Sequence, residues 1–216
     1  MAERRWSLRL PGRHVKWAFA VAWAIIEPPA SMAIDRDIRN DTDWRGTVLI
    51  STDVAITSAT VRVEPGTIIQ FVKPVEEGSG PVILLNSPVR LAGQSGIPGR
   101  LLLEGSPDRP IVVETLEGRP PGSIIAGPGT TGSFFARHVI FRRLGTPMGS
   151  RLADAGVQIE LEGRHDDVWI TDCRFENCGP VRVVLKGTSA SMEMSRCTFA
   201  NGLGNLALSC SGTSQG

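Results

Sequence analysis

Four consecutive residues, Arg164-His165-Asp166-Asp167, crowd groups that can move protons into one short stretch. Two carboxylates beside an imidazole could serve glycoside hydrolysis, one protonating the leaving oxygen and the other activating water or attacking the sugar. The same adjacency suits two plainer roles: a turn whose Asp side chains bond their own backbone, and a loose calcium site. Val168-Trp169-Ile170-Thr171-Asp172-Cys173 follows directly, with a third carboxylate and an indole on which a sugar ring could stack. Arg196, 24 residues beyond Asp172, adds a guanidinium. Asp166, Asp167 and Asp172 are therefore the candidate catalytic groups, and Trp169, His165 and Arg196 the candidate ligand contacts. No metal site is expected, because the one Cys-x4-Cys (Cys173, Cys178) and the distant His residues lack ligand spacing. Calcium is the one ion the carboxylates could take, and no other cofactor is expected. There is no Ser/His/Asp constellation, phosphate-cradling Gly loop or nucleotide fingerprint.

Whether these groups can converge depends on the elements that carry them. Gly156 to Gly179 and Pro180 to Leu203 repeat each other at an offset of 24 residues without a gap. Val157, Ile159 and Leu161 fall on Val181, Val183 and Leu185; Val168, Ile170, Cys173, Phe175 and Asn177 fall on Met192, Met194, Cys197, Phe199 and Asn201. Inside each copy the apolar residues alternate, which means strands of three to five residues, and the breaks carry Gly, Asp, Asn and Pro. Three short strands per repeat at this period indicate a β-solenoid. One such unit cannot bury enough surface to offset its own ordering, so neighbours must stack and share core and hydrogen bonds.

Earlier segments follow with looser spacing. Val48/Ile50, Val54/Ile56, Val61/Val63 and Ile69/Phe71 form inward pairs, and Leu101 to Val113 holds two more strands around a Gly-Ser-Pro turn. Ala136 to Gly145 aligns with the Cys173 strand, Val139 and Phe141 taking the places of Cys173 and Phe175. Loops are expected at 73–81, 92–99, 117–132 and 145–156, leaving about five coils. Stacking places Glu162 by Lys186, Asp172 by Arg196, Gln158 by Arg182, His138 by Asp172 and Arg142 by Glu176, which are stabilising cross-strand neighbours. Asn177 and Asn201 read as a turn ladder with side-chain amides bonded from coil to coil. Trp169 is the one aromatic expected on an outer strand face. Cys173, Cys197 and Cys210 sit at inward positions as a stacked core, while export would allow disulfides; four Cys permit three full pairings.

The first 33 residues read as a secretory signal peptide: a basic leader, an apolar core from Trp17 to Ile26, and small residues at Ser31-Met32-Ala33. That core is too short to span a bilayer, so no transmembrane span is expected in the mature chain. Without the leader, 18 Lys and Arg face 20 Asp and Glu and no basic run remains, which argues against nucleic acid as a partner. Residues 34–45 read as an N-terminal cap and 46–216 as the repeat domain. A half-copy begins at Gly204, so the last coil is expected to be truncated or covered by a protein partner.

Trp44 to Phe71 resembles the opening of bacterial secreted right-handed parallel β-helix proteins of the pectate-lyase-like fold, and Leu101 to Val113 is similar to their recurrent second-coil phrase. The resemblance implies an all-β, right-handed parallel β-helix, located outside the cytoplasm and associated with polysaccharide. It is less generous about catalysis. Pectate lyases of this fold carry V-W-I-D-H where this chain has Val168-Trp169-Ile170-Thr171-Asp172, and their Arg-x-Pro-x-x-Arg phrase is absent. The Asn-Thr-Asp, Gly-His-Gly and Arg-Ile-Lys phrases of polygalacturonases are absent too. The expectation is an exported scaffold or binding module; the alternative is a pectin-degrading lyase or hydrolase acting through Asp166, Asp167 and Asp172.

Overall fold

The computed structural model describes residues 31–73, 80–86, 99–126, 133–145, 156–162, 167–186, 191–201 and 206–211. Among these residues every regular element is a strand. The described residues begin with β1 (Ser31–Ile34), β2 (Thr42–Trp44) and β3 (Thr47–Ile50). Five triplets follow: β4 (Val54–Thr57), β5 (Thr60–Val63) and β6 (Ile68–Phe71); β7 (Val82–Asn86), β8 (Arg100–Glu104) and β9 (Ile111–Thr115); β10 (Ser123–Ala126), β11 (Ser133–Arg137) and β12 (Val139–Arg142); β13 (Val157–Glu162), β14 (Asp167–Thr171) and β15 (Arg174–Glu176); β16 (Val181–Lys186), β17 (Ser191–Ser195) and β18 (Thr198–Ala200). Last comes β19 (Leu206–Ser211).

Each member of a triplet joins a different sheet. Sheet B runs β4-β7-β10-β13-β16-β19, sheet C runs β2-β5-β8-β11-β14-β17, and sheet A runs β1-β3-β6-β9-β12-β15-β18. All strand pairings are parallel. The architecture is thus all-β and parallel, and is consistent with a β-helix. The 24-residue offset reappears as register: Val157 pairs with Val181, Val168 with Met192 and Phe175 with Phe199.

Alternation decides what is buried. In β3, β4, β5 and β6 the pairs Val48/Ile50, Val54/Ile56, Val61/Val63 and Ile69/Phe71 are all buried, and their neighbours face outward. Because identical positions stack, so do identical side chains. The rings of Phe141, Phe175 and Phe199 lie nearly parallel, 4.8 Å apart at each step. Trp44 is fully buried, and its indole N–H is the one buried side-chain polar atom among the described residues without a partner.

The corners between sheets explain residues that alternation leaves out. His138, Asp172 and Arg196 each follow directly on a sheet C strand at the corner leading to sheet A, with φ of 49°, 55° and 51°. A single left-handed residue turns the chain through the corner while the next round repeats the same bend. Arg143, Asn177 and Asn201 form a second left-handed set, at 52°, 52° and 55°. Asn tolerates that region better than most residues. The bond from Asn177 to the next round is donated by its backbone N–H to the Ala200 carbonyl at 3.0 Å. The Asn pair is therefore a conformational ladder linked by main chain, and no bond between their amide side chains occurs.

One expectation needs correction. The stretch 117–132 is not all loop, since it contains β10, which pairs with both β7 and β13. Its Ser-Ile-Ile-Ala run is too short for periodicity to show, and parallel neighbours on both sides supply the order. The segment around the expected cleavage site also carries structure: Ser31 to Ile34 pairs residue by residue with Thr47 to Ile50, and Met32 and Ile34 pack against the core. Ile38 makes an isolated parallel bridge to Ile56, so the stretch expected as a cap takes part in the sheets. No helix among the described residues is long and apolar enough to cross a membrane.

Candidate functional site: the outer face of sheet C

Parallel register converts separate sequence positions into a continuous row on the outer face of sheet C. Asp43 pairs with Arg62, Arg62 with Leu102, Leu102 with Phe135, Phe135 with Trp169, and Trp169 with Glu193. Adjacent members are one strand apart, about 4.8 Å. Trp169 is 46% exposed, the only large hydrophobic residue so open among those described. Its ring centroid lies 6.2 Å from that of Phe135, with the planes tilted by 36°. Leu102 and Phe135 are half-buried. The three make an apolar strip bordered by charge at both ends.

A shallow groove of about 380 Å³ runs beside this strip, lined by Thr60, Arg62, Arg100, Leu102, Glu104 and Phe135 with Ser133. Three successive strands supply these groups, so the groove is a property of the stack. A second hollow of about 550 Å³ lies over Met32 to Asn40, but one continuous segment forms nearly all of it. Arg62 reaches Asp41 only at 4.0 Å, with both side chains more than half exposed, so its guanidinium is barely committed. Arg100 pairs with Thr60 on one side and Ser133 on the other, with no carboxylate within salt-bridge distance among the described residues.

The candidate residues distribute differently from a catalytic set. Trp169 is on the outer face as expected. Asp172 and Arg196 lie at the corner between sheets C and A, where Arg196 grips both carboxylate oxygens, Nε to Oδ1 at 2.5 Å and a second nitrogen to Oδ2 at 2.8 Å. That hydrogen-bonded guanidinium lowers the Asp172 pKa from its ordinary 3.8, with smaller contributions from His138 and Arg137, and correspondingly raises that of Arg196. An ionised carboxylate occupied on both oxygens is a corner clamp and a poor proton donor. His165 and Asp166 lie outside the described residues, and Asp167 is placed only by its backbone at the start of β14, opposite Ser191. Among the described residues, no group of three or more His, Cys, Asp or Glu could hold a metal ion.

Other expected neighbours do meet. Arg142 bonds Glu176 at 2.7 Å, and Glu176 also takes Arg174 at 2.5 Å. Glu162 pairs with Lys186 and Gln158 with Arg182 in register. These belong to sheets A and B and do not share a face with Trp169. The sequence reading missed Phe135, Leu102, Arg62 and Arg100. Phe134 and Phe135 are adjacent, so one must face in and the other out, but periodicity alone does not say which. The tie is broken in the structure by Leu101 and Leu103, whose burial leaves Leu102 outward beside Phe135.

The Asp172–Arg196 clamp carries a pH prediction. Because the folded-state pKa is depressed, the clamp's contribution is present above pH 3.8 and is lost as pH falls through the lower folded value. Asp172→Asn keeps a residue that accepts left-handed backbone but discards the charge. Chemical denaturation of both proteins should show a small gap at neutral pH that closes in acid, and a gap independent of pH would show that the clamp is not its source.

No family model matches this chain, and neither does any curated protein or solved structure.

Proposed function

We propose that this chain is an exported, right-handed parallel β-helix of the pectate-lyase-like type, serving at the cell surface or outside the cell as a scaffold and binding module for polysaccharide. The observation that carries the reading is the Leu102–Phe135–Trp169 strip with its groove. A sugar ring presents a face of C–H bonds, and an aromatic ring presents the negative face of its quadrupole, so the two stack while the sugar hydroxyls stay in water. Rings spaced one strand apart suit an extended ligand lying across the strands. Arg62 and Arg100 supply hydrogen-bond donors in fixed forks at one end of the strip. The parallel three-sheet stack supports the fold assignment, and the apolar reach of the leader supports export. The only fully described candidate carboxylate, Asp172, is committed to Arg196, which supports a binding role over a hydrolytic one.

The test is to incubate the purified full chain with a panel of acidic and neutral polysaccharides, with and without calcium, and to record both retained binding and released oligosaccharide. Binding without release is expected. Trp169→Ala should weaken it roughly tenfold, a loss of about 1.4 kcal/mol, while leaving the thermal midpoint unchanged because the ring is half in water. Oligosaccharide release abolished by Asp167→Ala or Asp172→Ala would replace this reading with the lyase or hydrolase one. Absence of any binding by folded protein would remove polysaccharide from the assignment.

A further inference from the structure

Four cysteines leave their pairing open in sequence, and the topology brings one pair together. Cys173 and Cys197 occupy the same place in successive rounds, immediately before β15 and β18, and the Thr198 N–H donates to the Cys173 carbonyl at 2.9 Å. The Cys173 sulfur lies near the carbonyls of Ala136 at 3.4 Å and Thr171 at 3.2 Å, and the Cys197 sulfur near those of Ile170 and Ser195, each at 3.4 Å. Parallel neighbours sit about 4.8 Å apart, inside the range of about 4.4–6.8 Å between Cα atoms that a disulfide spans. Cys173 is buried at 2% exposure, whereas Cys197 is half-buried at the edge of the core. Cys178 is buried elsewhere, its sulfur near the Phe141 carbonyl at 3.3 Å and that of Glu176 at 3.5 Å. Cys210 lies in β19, a strand of sheet B, with its backbone opposite Leu185. Cys173, Cys178 and Cys197 are free thiols.

We propose that Cys173 and Cys197 form a thiol–disulfide exchange site, with Cys197 as the attacking sulfur and Cys173 as the resolving one, through which a small disulfide oxidant staples two successive rounds together. Access points to Cys197 as the nucleophile, and electrostatics agrees. The neighbouring Cys173 thiol favours the Cys197 thiolate and lowers its pKa to about 7, while the Cys197 thiol and burial raise the pKa of Cys173. Arg196 pulls Cys197 further down, and Asp172 opposes it. In the first step the Cys197 thiolate bonds to one sulfur of the oxidant, whose other sulfur leaves as a thiolate and takes a proton from water. Cys173 then loses its proton to solvent and attacks the Cys197 sulfur, expelling the second half of the oxidant. Two cysteine thiols are oxidised to one disulfide, and one disulfide is reduced to two thiols. The bond closes a segment of the chain that in the reduced protein is held only by strand pairing and packing.

The full chain, reduced and then freed of reductant, is incubated with oxidised glutathione, alkylated, and mapped by mass spectrometry without further reduction. The expected product is a single linked peptide pair joining Cys173 to Cys197, two equivalents of glutathione released, and a thermal midpoint several degrees higher. Cys178 should become alkylated only after denaturation. In Cys173→Ser, or in Cys173→Ala if the former does not fold, the mixed disulfide should accumulate on Cys197; in Cys197→Ser no adduct should form on Cys173. A map joining Cys197 to Cys178 or Cys210, or wild-type protein that keeps both thiols alkylatable after exchange has equilibrated, overturns the proposal.

Discussion

Phe175→Ala is expected to cost about 3–5 kcal/mol, enough to lower the thermal midpoint by on the order of 10 °C. Phe175 is the middle ring of three, 4.8 Å from Phe141 below and 4.8 Å from Phe199 above, with planes only 13° and 9° from parallel. Isolated aromatic pairs favour offset or edge-on contacts; here strand spacing imposes the stack, and the stability it adds comes from burial and close packing. Removing the middle ring strips contacts from both neighbours. The resulting cavity is sealed by parallel strands whose spacing is set by backbone hydrogen bonds, so they cannot collapse inward to fill it. Phe199→Ala provides the comparison, because that ring has only one stacked partner in the described core and is half-exposed. Its loss should be less than half as large. Equal losses at the two positions, measured by denaturant unfolding, would mean that stacking between rounds does not carry the core.

Gly122→Ala should be comparably damaging, by about 3 kcal/mol, although it adds a single methyl group. A Cβ at this position would land on the Phe71 ring, at contact closer than real Cβ atoms ever show. Neither side can yield. Phe71 is fully buried, and its strand is held in register with β9, where Phe71 pairs with Thr115. The Gly122 backbone is fixed at both ends, its N–H bonded to the Thr115 hydroxyl at 2.9 Å and its carbonyl to the Gly145 N–H at 2.9 Å. Thr115 thus holds both the ring's strand and the glycine that must pass over it. The clash is specific to one partner, which makes the explanation testable by a double-mutant cycle. Phe71→Leu in the Gly122→Ala background should recover a large part of the loss even though Phe71→Leu alone destabilises. Simple addition of the two losses would place the cost of Gly122→Ala elsewhere, in the bend of the chain rather than at the ring.

Much of this molecule is written along its sequence, because the two periodicities that matter are local. Alternation at period two assigned Val48, Ile50, Val54, Ile56, Val61 and Val63 to the interior, where all six are buried. The uninterrupted offset of 24 residues set the register of β13 on β16, β14 on β17 and β15 on β18, since a parallel stack of equal rounds leaves only one way to align like with like. Trp169 faces outward for the same reason. Where the rounds are unequal, that logic fails. Gln70 and Glu114 bond at 2.9 Å across 44 residues, and no fixed offset finds such a pair. The strand Ser123–Ala126 is equally hidden, because its order comes from the strands on either side. Tertiary structure alone decided that Leu102, Phe135 and Trp169, from three strands separated by loops of different lengths, share one row. It also placed Gly122 against the Phe71 ring, and Cys173 beside Cys197 in successive rounds. A sequence records which way each side chain faces relative to its immediate neighbours; which distant residue lies one strand away is determined by loop length and hydrogen-bond register, and those are settled only when the sheets assemble.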